Sequence, residues 1–247
     1  MRLSVLIPAY NEEATLRGVV ERVRAVDFGP VECEIVVADD ASTDGTPRVL
    51  ADLEREGKVR AVRHERNRGK GGAVKSAIAA ATGDILVVQD ADLEYDPADL
   101  PAVIAPILEG RTELVLGIRI QPDADARRRK PLYWLTWLGN LSITWTTNLL
   151  YGNRAAEYEG GYKAFTRRLA EAIRVRTDGF AFDNEFVCRA LKRGFHTVDV
   201  PIRYLPRGYG EGKKIGWRDG FRILGVILRC RFGGGTRIAH NRGKAWR

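Results

Sequence analysis

Three shortages narrow the possibilities for this chain. Its 247 residues hold three cysteines, Cys33, Cys188 and Cys230, far apart and without metal-ligand spacing. That excludes a disulfide framework and predicts a reducing compartment. The opening apolar run of MRLSVLIPAYNEE stops at Asn11, Glu12 and Glu13, too early for a signal peptide, so the chain is expected to be cytoplasmic. Pro131 to Asn153 carries no charge. Even so, Thr136, Asn140, Ser142, Thr144, Thr146, Thr147 and Asn148 make it a costly membrane span. Repeats and low-complexity linkers are absent too. With 45% hydrophobic residues, one large α/β domain with a proper core is expected.

Positive charge is in excess: Lys and Arg number 40 against 32 Asp and Glu, a formal net charge of +8. Such a surface suits nucleic acid, a phospholipid surface or a phosphorylated small molecule. Strand signals at Leu3 to Ala9, Ile35 to Ala38, Val59 to Arg63, Ile85 to Gln89 and Leu114 to Leu116 alternate with helical ones. Leu16, Val19, Val20 and Val23 have helical spacing, and Lys70 to Ala81 reads as a helix. The pattern predicts a mostly parallel sheet covered by helices on both faces. After Gly117 the alternation stops, and the remainder is expected as additions around the sheet, ending in a basic tail, GGGTRIAHNRGKAWR.

Open α/β sheets place ligands beyond the carboxyl ends of their strands. Here those ends read PAYNE after the first strand, DDASTDGT after the second and QDADLEYDP after a later one. Taken singly, the first is a helix start capped by Asn11 and the second an Asx-rich turn. Together they point to one polar crevice. In an extended segment Asp90 and Asp92 share a face, and Glu94 joins them if the chain stays extended. Oxygen ligands of this kind suit Mg²⁺ or Mn²⁺, with a nucleotide diphosphate completing the shell.

The ordered set LIPAYNEEATL, VVADDASTDGT, NRGKGGAVKSAIAAATGDILVVQDADLEYDP, EGGYKAFTRR and VPIRYLPRGYGEGKK resembles the inverting family 2 glycosyltransferases of GT-A fold. Within them it is most similar to the polyprenyl-phosphate sugar transferases, such as dolichyl-phosphate mannose and glucose synthases. The likeness covers about Arg2 to Gly220. It implies a catalytic domain over 1–220 with a Rossmann-like central sheet, while the residue pattern adds a candidate membrane-interface helix at 131–153, and an amphipathic helix and tail over 221–247.

The resemblance also implies roles. Pro8, Tyr10 and Glu12 would line the nucleotide site, and Asp39 would contact base or ribose. Asp90, Ala91 and Asp92 would meet ribose and diphosphate, with Asp90, Asp92 and Glu94 around Mg²⁺ or Mn²⁺. Lys70, in Asn67 to Gly72, would bring positive charge to an anion at a helix start. Arg119 would bind phosphate, and Arg207 and Lys213 would close over the diphosphates from a glycine-rich loop. Asp183 and Glu185 would sit near the sugar, Glu185 being one candidate base should the acceptor be a hydroxyl. The family's Asp-x-Thr/Gln-Ser/Cys-Gly stretch is altered to Glu157-Tyr158-Glu159-Gly160-Gly161. The expected reaction is metal-dependent transfer of a sugar from GDP-mannose, UDP-glucose or a similar donor to a polyprenyl phosphate. A glycosyltransferase with a hydroxyl acceptor is the alternative.

Nucleic acid is not an expected partner, because a basic binding module leaves the acidic strand ends unexplained. An anionic membrane surface is. Trp134, Leu138, Leu141, Trp145 and Leu149 fall near one helical face after the basic Arg127 to Lys130, as an interfacial helix requires. Phe221 to Phe232 is a second candidate, and the enzyme is expected as a peripheral protein of the cytosolic membrane face. Oligomeric state stays open.

Overall fold

A computed structural model describes residues 1–120, 133–179, 181–205 and 217–233. Strand β1 (Arg2–Ala9) lies inside the sheet, with a strand on either side, and its near-continuous apolar sequence follows from that place, because helices cover both faces. Leu3, Val5 and Ile7 point into one core layer, and Leu6 into the other. Parallel to β1 run β2 (Glu32–Asp39) on one side and β4 (Ile85–Val88) on the other, with β3 (Arg60–Arg63) beyond β2. Helix α1 (Leu16–Arg24) buries Leu16, Val19, Val20 and Val23, the four residues whose spacing predicts it. Helices α2 (Thr46–Arg55) and α3 (Lys70–Ala80) follow β2 and β3; a 3-10 turn, Pro97–Asp99, leads into α4 (Leu100–Leu108).

Beyond β5 (Leu114–Ile120) the sheet continues, contrary to the expectation of mere additions. Among the described residues seven strands form one sheet, in the order β3-β2-β1-β4-β6-β5-β7. Strand β6 (Lys163–Thr166) inserts antiparallel between β4 and β5, and β7 (Thr197–Arg203) lies parallel to β5. β6 escapes sequence reading because it is only four residues long and begins with a buried lysine. Short helix α6 (Arg167–Ala172) and α7 (Phe182–Lys192) follow it.

Two further helices, α5 (Tyr133–Tyr151) and α8 (Trp217–Phe232), pack on each other and on α7. Ile143, Cys188, Ile223, Val226, Ile227 and Cys230 form this separate apolar cluster. The Tyr151 hydroxyl donates to the Ile227 carbonyl at 3.0 Å, and the Lys192 ammonium to the Cys230 carbonyl at 2.7 Å, where it satisfies the carboxyl end of α8. Trp137, Leu138, Leu141, Trp145 and Leu149 on α5 remain exposed, as do Phe221, Leu228 and Phe232 on α8. Among the described residues no helix is long and apolar enough to cross a membrane.

Candidate active site

Because β1, β2, β4 and β5 share one direction, their carboxyl ends open on the same edge, and antiparallel β6 begins there. The first two loops are laced together at this edge. Asn11 takes a left-handed φ of 55°, donates its amide to Ser42 Oγ at 2.9 Å and accepts from the Thr43 amide at 2.8 Å. It is therefore not the cap of α1, which starts four residues after the position Asn11 would need. The Glu12 amide donates to the Thr46 hydroxyl at 2.8 Å, and Glu12 Oε2 accepts from the Thr15 hydroxyl. Half-buried Pro8 and Tyr10 precede this knot. Asp39, 3% exposed, accepts from both the amide and the hydroxyl of Ser42.

Asp40, which no sequence argument singled out, proves to be the more connected member of the Asp-Asp pair. Its carboxylate accepts from the Arg68 amide at 2.8 Å and the Gly69 amide at 2.7 Å, and it meets His64 Nδ1 at 2.7 Å. His64 Nε2 in turn meets Ser76 Oγ at 2.8 Å. The end of β2 thus holds the Asn67 to Gly72 loop and the start of α3. The glycines there serve close packing as well as openness: a Cβ on Gly71 would stand 2.5 Å from that of Phe182 on α7. The Gly72 amide is taken by the Asp178 carbonyl at 3.0 Å. The one signal for Asp40 was the doubling of the aspartate.

The segment after β4 does not stay extended. It turns at Ala91, Leu93 adopts a φ of 60°, and Asp92 Oδ1 accepts from the Glu94 amide at 3.1 Å. Asp90, Asp92 and Glu94 consequently do not share the face that an extended chain would give them. Among the described residues no three Asp, Glu, His or Cys side chains converge as a metal cage. Asp90 instead faces Lys70, whose Nζ lies 2.7 Å from Asp90 Oδ1 and 3.8 Å from Asp183 Oδ2. Burial alone would lower the lysine's pKa, but the two carboxylates outweigh it and raise the pKa above the ordinary lysine range.

Asp183 joins this cluster and Glu185 does not. Glu185, 3% exposed, accepts from the Thr177 hydroxyl and amide, the Arg176 amide and the Arg189 guanidinium at 2.5 to 3.1 Å. Burial favours its neutral form, but these donors, led by the Thr177 hydroxyl, hold its pKa below the usual carboxylate range. Its oxygens are engaged in fixing the segment before α7, which departs from the role of a base near the sugar.

Arg119, at the end of β5, is ion-paired with Glu157 and lies 5.1 Å over the Tyr204 ring, leaving its buried Nε without a hydrogen-bond partner. The longer arm of Glu157 is what spans to the guanidinium. Gly160 and Gly161 leave no hole in its wake. A Cβ on Gly160 would collide with the Gly117 carbonyl, and one on Gly161 would stand 2.8 Å from Asp90 Oδ2. That Cβ would also stand 2.4 Å from the Tyr95 ring, to whose hydroxyl the Gly161 amide donates at 2.9 Å. Arg207, Lys213 and Arg127 to Lys130 lie outside the described residues.

Comparison with known proteins agrees with this geometry. The family model described as Glycosyl transferase family 2 matches residues 4–182. The chain is 28% identical over 247 aligned residues to a UDP-N-acetylglucosamine–dolichyl-phosphate N-acetylglucosaminyltransferase of Methanococcus voltae, covering 93% of this chain and 96% of the relative. It is 31% identical to glycosyltransferase AglD of Haloferax volcanii, covering 84% of this chain but only 34% of that longer protein. Among solved structures, glucosyl-3-phosphoglycerate synthase of Mycobacterium tuberculosis bound to UDP superposes with a TM-score of 0.70 at 22% identity, covering 93% of this chain and 80% of the other. The same enzyme with Mn²⁺, UDP-glucose and phosphoglyceric acid gives 0.69 at 23% identity, covering 93% and 79%. The likeness to these structures is one of fold, the GT-A arrangement of a mostly parallel sheet between helices. With the family match spanning well over half of the chain and the strand-end loops assembled as described, this protein is a glycosyltransferase and belongs to glycosyl transferase family 2.

Proposed function

We propose that the enzyme transfers a sugar, with inversion, from a nucleotide-sugar donor to a polyprenyl phosphate at a membrane surface. The observation that carries this reading is the placement of two cations, Lys70 and Arg119, at one sheet edge beside the DAD turn. Lys70 stands where a departing nucleoside diphosphate needs positive charge. Arg119 is the candidate for the acceptor phosphate, its guanidinium suited to phosphate oxygens. A phosphate acceptor is already anionic at neutral pH, so it attacks the anomeric carbon without a strong base. That accords with Glu185 being fully engaged elsewhere. A hydroxyl acceptor would need a carboxylate to take its proton, and Asp183 would be the candidate.

The acceptor reading draws support from the Methanococcus relative named for dolichyl phosphate. Donor candidates are UDP-N-acetylglucosamine, UDP-glucose and GDP-mannose, the last two being those of the synthases the motifs resemble. Arg207 and Lys213 are proposed to close over the diphosphate.

The residues suit a divalent ion of the kind held by one or two carboxylates together with donor phosphates and water. Asp92 and Glu94 would hold Mg²⁺ or Mn²⁺, while the Asp90 charge is already met by Lys70. A bound ion would supply charge neutralisation for the diphosphate. The chain's own residues orient the donor, through Asp39 and Glu12 beside the nucleotide and Lys70 beside the diphosphate.

The exposed apolar faces of α5 and α8, following the basic Arg127 to Lys130, are proposed to rest on anionic lipid. The test is incubation with the three donors, Mg²⁺ or Mn²⁺, and a polyprenyl phosphate. Sugar recovered in an acid-labile lipid phosphodiester is the expected result; sugar recovered only in an acid-stable glycoside would sink the acceptor assignment.

A further inference from the structure

Lys163 occupies a place where an apolar residue would ordinarily be found. It opens β6, in the middle of the sheet between β4 and β5, and is only 2% exposed. A buried ammonium is costly unless it is paired and hydrogen-bonded. Its Nζ donates to the Gly160 carbonyl at 2.5 Å and lies 3.9 Å from Asp183 Oδ2. The same carboxylate oxygen lies 3.8 Å from the Lys70 ammonium, whose nearer partner is Asp90 at 2.7 Å. Charges of alternating sign therefore run from Lys163 through Asp183 and Lys70 to Asp90. They join β6, α7, α3 and the segment after β4 in one file leading from the sheet interior to the crevice. Asp183 Oδ1 is buried without a hydrogen-bond partner, so attraction to the two ammonium groups, more than any hydrogen bond, sets where this carboxylate points.

We propose that Lys163 is a positioning residue for sugar transfer: by holding Asp183 from the sheet side, it leaves Lys70 directed at Asp90 and the crevice. Without Lys163 the half-buried Asp183 carboxylate has one cation within reach. Lys70 is then drawn toward it and away from Asp90, and positive charge retreats from the place where the diphosphate departs. Lys163 also secures the Gly160 carbonyl, and with it the loop that brings Glu157 to Arg119. One ammonium thus ties the donor side of the site to the acceptor side. The inference rests on the donor-site reading above.

The experiment is a double-mutant cycle on the full chain: Lys163→Met, Asp183→Asn, and both together, with Lys163→Arg as the charge-retaining control. Turnover and KM are read with whichever of UDP-N-acetylglucosamine, UDP-glucose or GDP-mannose the wild type uses, and stability by urea unfolding. Lys163→Met should lower kcat by about tenfold to a hundredfold with a much smaller change in KM. The double variant should be no worse than Asp183→Asn alone, because the carboxylate that misdirects Lys70 is gone. Lys163→Arg should keep most of the turnover. Wild-type kcat in Lys163→Met, or additive losses of kcat around the cycle, would overturn the proposal. Coupling seen in urea alone, with additive kcat losses, would also overturn it, marking Lys163 as structural only. If the wild type uses none of the three donors, the donor-site reading fails instead. The pairing then stands or falls on the urea cycle, where additive losses reject it.

Discussion

The two ends of the sheet are built differently. On the β1–β2 side, loops are held by hydrogen bonds to backbone amides: Asn11 to Thr43, Asp39 to Ser42, Asp40 to Arg68 and Gly69. These amides belong to the loops after β2 and β3, and acceptors at or just beyond the strand ends tie those loops to the sheet before any donor arrives. Beyond β5 the ties are made by long charged side chains, Arg119 to Glu157 and Lys192 to the backbone carbonyls at the end of α8, and large apolar groups face outward. A site half that must recognise a small nucleotide gains from preorganisation. On the proposed function, a half that admits a long lipid gains from exposed apolar surface and from ion pairs that a phosphate can replace.

The largest expected effect strikes the border between the halves. Asp92→Asn should reduce metal-dependent turnover by about a hundredfold or more, as removal of a charged ligand does, with the fold retained. Calorimetric titration of UDP and GDP with Mn²⁺ checks it; unchanged affinity and turnover would remove Asp92 from the metal. Asp40→Ala tests the rigidity of the donor half. It takes an acceptor from the Arg68 and Gly69 amides and from the buried His64 ring, and should destabilise the chain by about 2 kcal/mol in urea. A loss no greater than that of an exposed residue would break the contrast between the halves.

The acceptor half is probed by charge. Arg128→Glu with Arg129→Glu should weaken flotation with anionic liposomes, each basic residue near such a surface contributing about 1 kcal/mol. Donor affinity should be unchanged, and wild-type protein that never floats would detach this half from the bilayer. The smallest effect belongs to Glu185, whose pKa is lowered in the folded state. A lowered carboxylate stabilises the fold above its unfolded pKa of about 4.3 and loses that contribution as pH falls through its folded value. Glu185→Gln should therefore be less stable than wild type at pH 7, with the gap closing only in acid below about pH 4. A gap independent of pH would contradict the charge-assisted role.

Legibility in the sequence followed the same division. Strand β1 and helix α1 were readable because continuous burial and helical spacing leave unmistakable patterns, as in Leu3 to Ile7 and Leu16 to Val23. The DAD acids and Arg119 were legible as candidates because they stand at strand ends, and Lys70 because it opens α3 after a glycine loop, all within an ordered motif set. β6 was not, since four residues beginning with Lys163 carry no periodicity. Asn11 read as a cap because its preference for left-handed and cap positions is local, whereas its partners, Ser42 and Thr43, lie 31 and 32 residues away.

By itself the sequence determined the α/β class, the edge of the sheet where chemistry gathers and the residue types available there, because periodicity and strand-end composition are local properties. Only the tertiary structure decided which charges meet. It turned the chain at Leu93 so that Asp90 faces Lys70, assigned Glu185 to the segment before α7, set Glu157 on Arg119, and brought Lys163 beneath Asp183. Those pairings join residues distant in sequence through strand order, and strand order follows from the antiparallel insertion of β6, a long-range event that no local pattern encodes.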